Sequence, residues 1–262
     1  MTWENLYKYV FDVGIRYFMI AGIAFLIFYV LFHKRFSAIR IQKKIPKPSD
    51  YTRDVFFSVI SIIIFAAMPV IFLKNEHIRP YTQIYVDISD YGWMYFILAV
   101  PLMILLHDTY FYWTHRMMHH RRLFNLFHLV HHKSTSPTPW TAYSFHPLEG
   151  LVEGGIFVVI IFIMPFHSLH LWIFFTVMFV YNVYGHLGYE LFSPKFHRTK
   201  FGRWVSTGTA HNMHHQFFKG NYGLYFLFWD RWMNTLRPEY DVKFRINLSK
   251  INPTVLEEAK TV

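Results

Sequence analysis

No cysteine occurs among the 262 residues. That removes disulfides, thiolate zinc sites, iron–sulfur clusters and cysteine nucleophiles from consideration. Charge is scarce too: Asp, Glu, Lys and Arg make up 16% of the chain, against 53% apolar residues. No G-x-G-x-x-G fingerprint, ATP loop, hydrolytic nucleophile motif or flavin or haem segment is found. The chemistry of the chain therefore does not rest on a nucleotide, a thiol or a serine nucleophile.

What the chain has in excess is oil, and the oil comes in runs. Five apolar segments stand out: 13–32, 55–73, 93–113, 151–164 and 169–184. About 20 residues of helix cross a bilayer core of about 30 Å. The first three segments meet that length; the last two are shorter and joined by Pro165-Phe166-His167-Ser168. They read as a thin hairpin or as partial insertions lining a cavity. Met1–Asp12 carries mixed charge and precedes a run too long for a signal-peptide core, so the first segment reads as a membrane helix. The expected fold is all-α: a membrane bundle of four to five helices under a histidine-rich cap. One membrane-embedded domain is expected over 1–262, divided into N-terminal helices (1–90), a histidine-box region (91–236) and a polar tail (237–262).

The net charge of +10 does not point to nucleic acid, because Lys and Arg flank the oily runs. The loop H-K-R-F-S-A-I-R-I-Q-K-K-I-P-K holds six of them and is expected on the cytoplasmic side. Alternation then places 74–90 outside, 115–150 inside, the 165–168 turn outside, and everything after Tyr184 inside, beginning with Lys195, Arg198, Lys200 and Arg203. The two H-x-x-H-H boxes fall on one face under this assignment.

Fifteen of the seventeen histidines lie between His107 and His215. His115 and His119 are four apart, so on a helix they share a face. Asp108, seven before His115, falls near that face and suits either a carboxylate orienting an imidazole or a ligand. His128, His131 and His132 repeat the i, i+3, i+4 pattern, as do His211, His214 and His215. In each triplet two rings can reach one metal and the third its neighbour. His146 and His186 stand singly between the boxes. His33, His120 and His197 lie beside basic residues and are read as headgroup contacts, and His167 and His170 as interfacial groups on the opposite side. One H-x-x-x-H alone would be surface noise. Two H-x-x-H-H boxes beside an H-x-x-x-H, all on one side, are metal ligands, since unpaired imidazoles at a membrane edge are costly. Eight to ten imidazoles exceed what one ion of four to six ligands can use, so two ions are expected. Imidazole suits Fe, Zn, Cu and Ni alike.

Those residues resemble the sterol desaturase/fatty acid hydroxylase superfamily of membrane di-iron oxidases. The matching pieces are H-D-T-Y-F-Y-W-T-H-R-M-M-H, F-H-L-V-H-H-K-S-T-S-P-T-P-W, F-H-P-L-E-G, G-H-L-G-Y-E, and H-N-M-H-H-Q-F-F-K-G-N-Y-G followed by F-W-D-R-W-M-N-T. They cover roughly residues 105 to 236, and P-T-P-W with S-F-H-P-L-E-G is most similar to the sterol C5-desaturase branch. The resemblance implies two irons, with Zn as a possible substitute, held by His115, His119, His128, His131, His132, His186, His211, His214 and His215. Glu190 stands where some members carry another histidine, and it is expected to be an oxygen ligand or no ligand. His146 matches the family's H-P motif, as ligand or support. The implied reaction takes hydrogen from an unactivated C–H position of a lipid, using O2, and yields an alcohol or an alkene. The lipid is a sterol, fatty acyl or sphingoid type. Electrons then come from an external donor, a cytochrome b5, a ferredoxin or a reductase, for which the basic runs 116–122 and 195–203 are candidate docking sites. Trp113, Trp140, Tyr143, Tyr222 and Trp229 flank the boxes and are pocket candidates. Asp230 is read as forming a structural clamp with Arg231 or with neighbouring charges. The membrane is a bacterial inner membrane or endoplasmic reticulum.

Three rival readings carry different expectations. A membrane-embedded zinc-dependent lipid hydrolase would work without O2. A metal transporter would spread histidines and acids through the membrane depth. A bis-histidine haem protein would leave most of the imidazoles unused.

Overall fold

The computed structural model describes residues 3–197 and 199–249. Arg198 and the end of the expected polar tail, 250–262, lie outside the described residues. Four helices are long and apolar enough to cross a membrane: Trp3–Leu31, Pro48–Phe72, Gly92–Met118 and Ser168–His186. The first is α1 (Trp3–Phe25), prolonged by a wider π-helical turn over Leu26–Leu31. The others are α2 (Pro48–Phe72), α3 (Gly92–Met118) and α7 (Ser168–His186). Short helices α4 (Phe124–Phe127) and α5 (Leu129–His132) follow α3. Helix α6 (Pro147–Ile163) pairs with α7 as a hairpin; its 17 residues span about 26 Å, short of a full crossing. The chain ends in a cap of α8 (Pro194–His197), α9 (Gly208–Phe217), α10 (Phe228–Trp232) and α11 (Tyr240–Ser249). Among the described residues no strand forms; three isolated bridges tie loops together.

Helix α1 begins ten residues before the oily run that marks it in the sequence. The mixed charge of the first dozen residues is a stripe: Glu4, Lys8, Asp12 and Arg16 alternate in sign at four-residue spacing along one helical face. Helix α2 starts where Pro48 occupies the first turn and the Asp50 carboxylate accepts from Lys47 N–H at 2.9 Å. Helix α6 starts the same way, with Pro147 in the first turn and His146 Nδ1 accepting from Leu148 N–H.

Two buried clusters hold the bundle. Tyr17 and Ala21 of α1, Ile62 of α2 and Phe179 and Val183 of α7 enclose Tyr143 and Phe145. Farther from the cap, Met68, Met103, Ile156, Ile160 and Phe174 join α2, α3, α6 and α7. At that end Tyr85 N–H donates to Phe166 O, closing the 82–85 loop onto the α6–α7 turn. His170 is buried there, its ring 4.5 Å from that of Phe96 and 6.0 Å from Tyr85, so it is packed inside the protein at the end opposite the cap. Helices α3 and α7 both end, in the chain direction, at the cap, which brings His115 and His186 to the same end of the bundle.

Candidate metal centre

Nine imidazoles from four helices, α3, α5, α7 and α9, and the residues at their ends converge beneath the cap. They form two groups. His115 and His119 from the end of α3, His128 and His132 flanking α5, and His214 of α9 make one; His131, His186, His211 and His215 make the other. Within each group one nitrogen per ring lies within 4.8 Å of every other. Both triplets split between the groups, because residues three and four apart on a helix point to neighbouring but distinct directions.

Hydrogen bonds fix the tautomers of six of the nine rings. His115 Nδ1 donates to Tyr222 O at 2.9 Å, His186 Nδ1 to Asn182 O at 2.8 Å and His214 Nδ1 to Gly220 O at 2.8 Å. His215 Nδ1 donates to Ser134 O at 3.1 Å and His131 Nδ1 to Ser144 O at 3.3 Å. A carbonyl only accepts, so in each case the proton sits on Nδ1 and the Nε2 lone pair is bare. His128 Nδ1 donates to the fully buried Glu149 carboxylate at 2.6 Å.

The bare nitrogens then face one another. His115 and His128 Nε2 are 2.9 Å apart, and the Nε2 atoms of His119, His132 and His214 are mutually 3.0–3.1 Å apart. In the second group His186 Nε2 lies 3.1, 3.0 and 3.2 Å from those of His131, His211 and His215. Lone pairs at such distances repel unless a cation lies between them. Protons do not serve: burial, and then the neighbouring imidazoles, push His128, His132, His214 and His215 well below the usual histidine range. Bonds of about 2.1 Å from imidazole to a metal, at right angles, separate adjacent nitrogens by about 3.0 Å. The donor set, all imidazole in two groups of five and four, therefore fits two transition-metal ions.

The three further residues singled out in the sequence lie apart from these groups. Asp108 Oδ1 accepts from Tyr225 and Phe226 N–H at 2.8 and 3.1 Å; it steadies the 220–226 loop and orients no imidazole. Glu190 accepts from Tyr184 O–H and from Thr209 and Phe192 N–H, which uses its oxygens to tie α7 to α9. His146 caps α6. Asp230 and Arg231 do not clamp each other; the neighbouring charge that acts on Asp230 is Arg116. Asp230 instead accepts from Tyr222 and Gly223 N–H and from Thr235 O–H, while Arg231 donates to Arg203 O. Asp108 and Asp230 thus hold, from two sides, the loop whose carbonyls orient His115 and His214. Gly220 in that loop has φ +80°, and a Cβ there would meet Thr235 O at 2.6 Å, so no other residue fits without moving the carbonyl.

Two supports were not foreseen in the sequence. One is Glu149. The other is Asp54 of α2, buried and accepting from Ser134, Thr141 and Ser144 hydroxyls at 2.7, 2.7 and 3.2 Å and from Arg53 at 3.1 Å. It draws residues 134–144 into the loop whose Ser134 and Ser144 carbonyls orient His215 and His131. Alanine at Asp54 leaves these donors unpaired, and we expect it to destabilise the protein by about 3 kcal/mol, read as a lower unfolding temperature in detergent.

A cavity of about 280 Å³ runs between α1, α2, α6 and α7 below the histidines. Phe111, Phe145 and Asn182 line it. Phe111 packs on His115 and Phe145 on His131, with ring centroids 4.9 and 5.1 Å apart, and Asn182 O holds His186. The cavity thus ends one side chain from both imidazole groups. Of the five aromatic pocket candidates, Tyr143 lines it. Tyr222 packs on His119, Trp140 on Tyr17 and Phe25 of α1, and Trp113 on Trp229.

The fatty acid hydroxylase family model matches residues 100–235. The chain is 30% identical to the Delta(7)-sterol 5(6)-desaturase of Gibberella zeae over 80% of its own length and 61% of that protein. It is 30% identical to the lathosterol oxidase of Rattus norvegicus over 70% of its length and 60% of that protein. With the Delta(7)-sterol 5(6)-desaturase of Leptosphaeria maculans it shares 28% over 94% of its length and 65% of the relative. The chain spans about six-tenths of the length of these relatives. No solved structure matches it.

Proposed function

Since the chain belongs to the fatty acid hydroxylase family, we propose that it is an O2-dependent membrane di-iron oxidase that hydroxylates or desaturates an unactivated C–H position of a lipid. A sterol is the substrate class its relatives' names favour. The observation that carries the proposal is the pairing of two all-imidazole groups with an apolar cavity ending against them.

Two bound irons would supply O2 activation and the oxidising power to break the C–H bond. The ions would be held by His115, His119, His128, His132 and His214 on one side and by His131, His186, His211 and His215 on the other. The rest is the work of the chain. Backbone carbonyls and Glu149 hold protons on Nδ1 and aim Nε2 inward. Phe111, Phe145 and Tyr143 keep water from the inner end of the cavity and present the lipid edge-on to the histidines. Electrons come from a donor outside the chain, a cytochrome b5, a ferredoxin or a reductase, at the cytoplasmic face where the histidine cap lies.

Metal analysis and product analysis test this together. Protein purified without added metal is expected to hold iron, about two ions per chain, and to yield a lipid product that gains one oxygen or loses two hydrogens only when O2 is present. Zinc alone, with product formed in anaerobic buffer, would overturn the proposal in favour of hydrolysis.

A further inference from the structure

The cavity wall is apolar over most of its surface, yet a carboxyl group faces it at membrane depth. Glu153 lies one turn beyond Glu149 on α6, about 6 Å farther from the start of the helix. Glu149 is engaged by His128. Glu153 makes no hydrogen bond or ion pair among the described residues. An ionisable side chain left without a partner inside an apolar belt is costly, and such groups mark the places where polar ligands bind.

Two other polar groups lining the cavity are already committed. His107 Nδ1 is 2.9 Å from the Tyr225 hydroxyl, and Asn182 Nδ2 donates to Ala142 O at 2.8 Å. Asp12 and Arg16 sit one turn apart on α1 and offset each other in charge. Glu153 alone combines an uncommitted acceptor with a position one helical turn from a residue that touches a metal-group histidine.

We propose that Glu153 accepts a hydrogen bond from the hydroxyl of a neutral lipid alcohol, and so fixes which carbon faces the histidines. This rests on the reading that the cavity is the substrate site. An alcohol donates to a carboxyl oxygen of Glu153, whereas an ionised phosphodiester or carboxylate headgroup has no proton to donate to it. A sterol fits the spacing: its hydroxyl lies only a few bonds from the ring carbons that a 5(6)-desaturase oxidises. A long acyl chain without a hydroxyl leaves the carboxyl group unpaired.

The test is competition for tritiated lathosterol bound to the full-length protein in detergent, using lathosterol, its 3-O-methyl ether and oleate. Wild type, Glu153→Gln and Glu153→Leu are compared, with metal content and unfolding temperature as checks of folding. On the wild type the ether is expected to compete about ten-fold more weakly than the alcohol. Glu153→Leu should bind alcohol and ether alike, and Glu153→Gln, whose amide oxygen still accepts, should keep most of the preference. The proposal is overturned if wild type does not discriminate, if Glu153→Leu still does, or if oleate displaces the sterol better than unlabelled lathosterol. Turnover separates this from the oxidase reading. If the ether binds and is oxidised as well as the alcohol, hydroxyl recognition falls and oxidation stands. If Glu153-dependent discrimination is found but no lipid is oxidised, recognition stands and oxidation falls.

Discussion

Alanine at His131 is expected to leave one of the two proposed metal ions bound and to abolish the proposed lipid product. His131 belongs to the smaller group, where four imidazoles serve one position. Its Nε2 lies 3.1 Å from that of His186, and its Nδ1 is held by Ser144 O. Removing it leaves three nitrogens and opens a hole beside Phe145, which packs on the ring. Loss of a group that only orients a ligand costs about 10–100-fold in metal affinity or activity; loss of a ligand itself should exceed about 100-fold. The larger group shares no ring with the smaller one, so its ion should remain. His119→Ala is the informative contrast. His119 is half-buried at the end of α3 and belongs to the group of five, which keeps four nitrogens without it. Its variant should retain more metal and more product than His131→Ala. Elemental analysis per chain and lipid mass spectrometry of expressing cells read both effects. Two ions and wild-type product in His131→Ala would remove His131 from the ligands and the group of four as a metal position that depends on it.

The convergence of the nine imidazoles was readable from the chain because local geometry dictates most of it. Spacings of three and four force neighbouring rings to one side of a helix, whatever the helix packs against. The same logic misled at Asp108. Its seven-residue offset from His115 does put it near the same face, but two turns lower, where the backbone N–H groups of Tyr225 and Phe226 reach it first. Glu190 lies near His186 in sequence, yet its carboxylate is drawn away by the Tyr184 hydroxyl and the start of α9. Neither outcome can be read without knowing how the 220–226 loop and α9 return to the bundle. Of the carbonyls that orient the rings, only that of Gly220 leaves a trace in residue type, because its backbone conformation needs a glycine. The start of α1 was hidden for another reason: a hydropathy scan sees charge, whereas a helix tolerates it when it lies along one stripe.

Glu149 did leave a signal, an acid three residues past a histidine in the first turn of an oily helix, and its removal is the second large effect expected. The carboxylate is fully buried and 2.6 Å from His128 Nδ1, while its other oxygen has no partner among the described residues. A buried carboxylate facing one neutral imidazole is poorly compensated by the protein alone. A metal ion held by His128 Nε2 would change the balance: the neutral ring would be polarised between the carboxylate and the ion, so that each would stabilise the other. Glu149→Ala should therefore weaken metal retention against a chelator by about 10–100-fold. Glu149→Gln should fall between it and wild type, since the amide oxygen accepts the proton without carrying the charge. The metal-free protein should respond in the opposite sense, with Glu149→Gln more stable to unfolding than wild type because an uncompensated charge has been removed. Unfolding curves with and without chelator measure both. If Glu149→Gln destabilised the metal-free protein and left metal retention unchanged, the residue would be a packing group of α6 and the coupling through His128 would not exist.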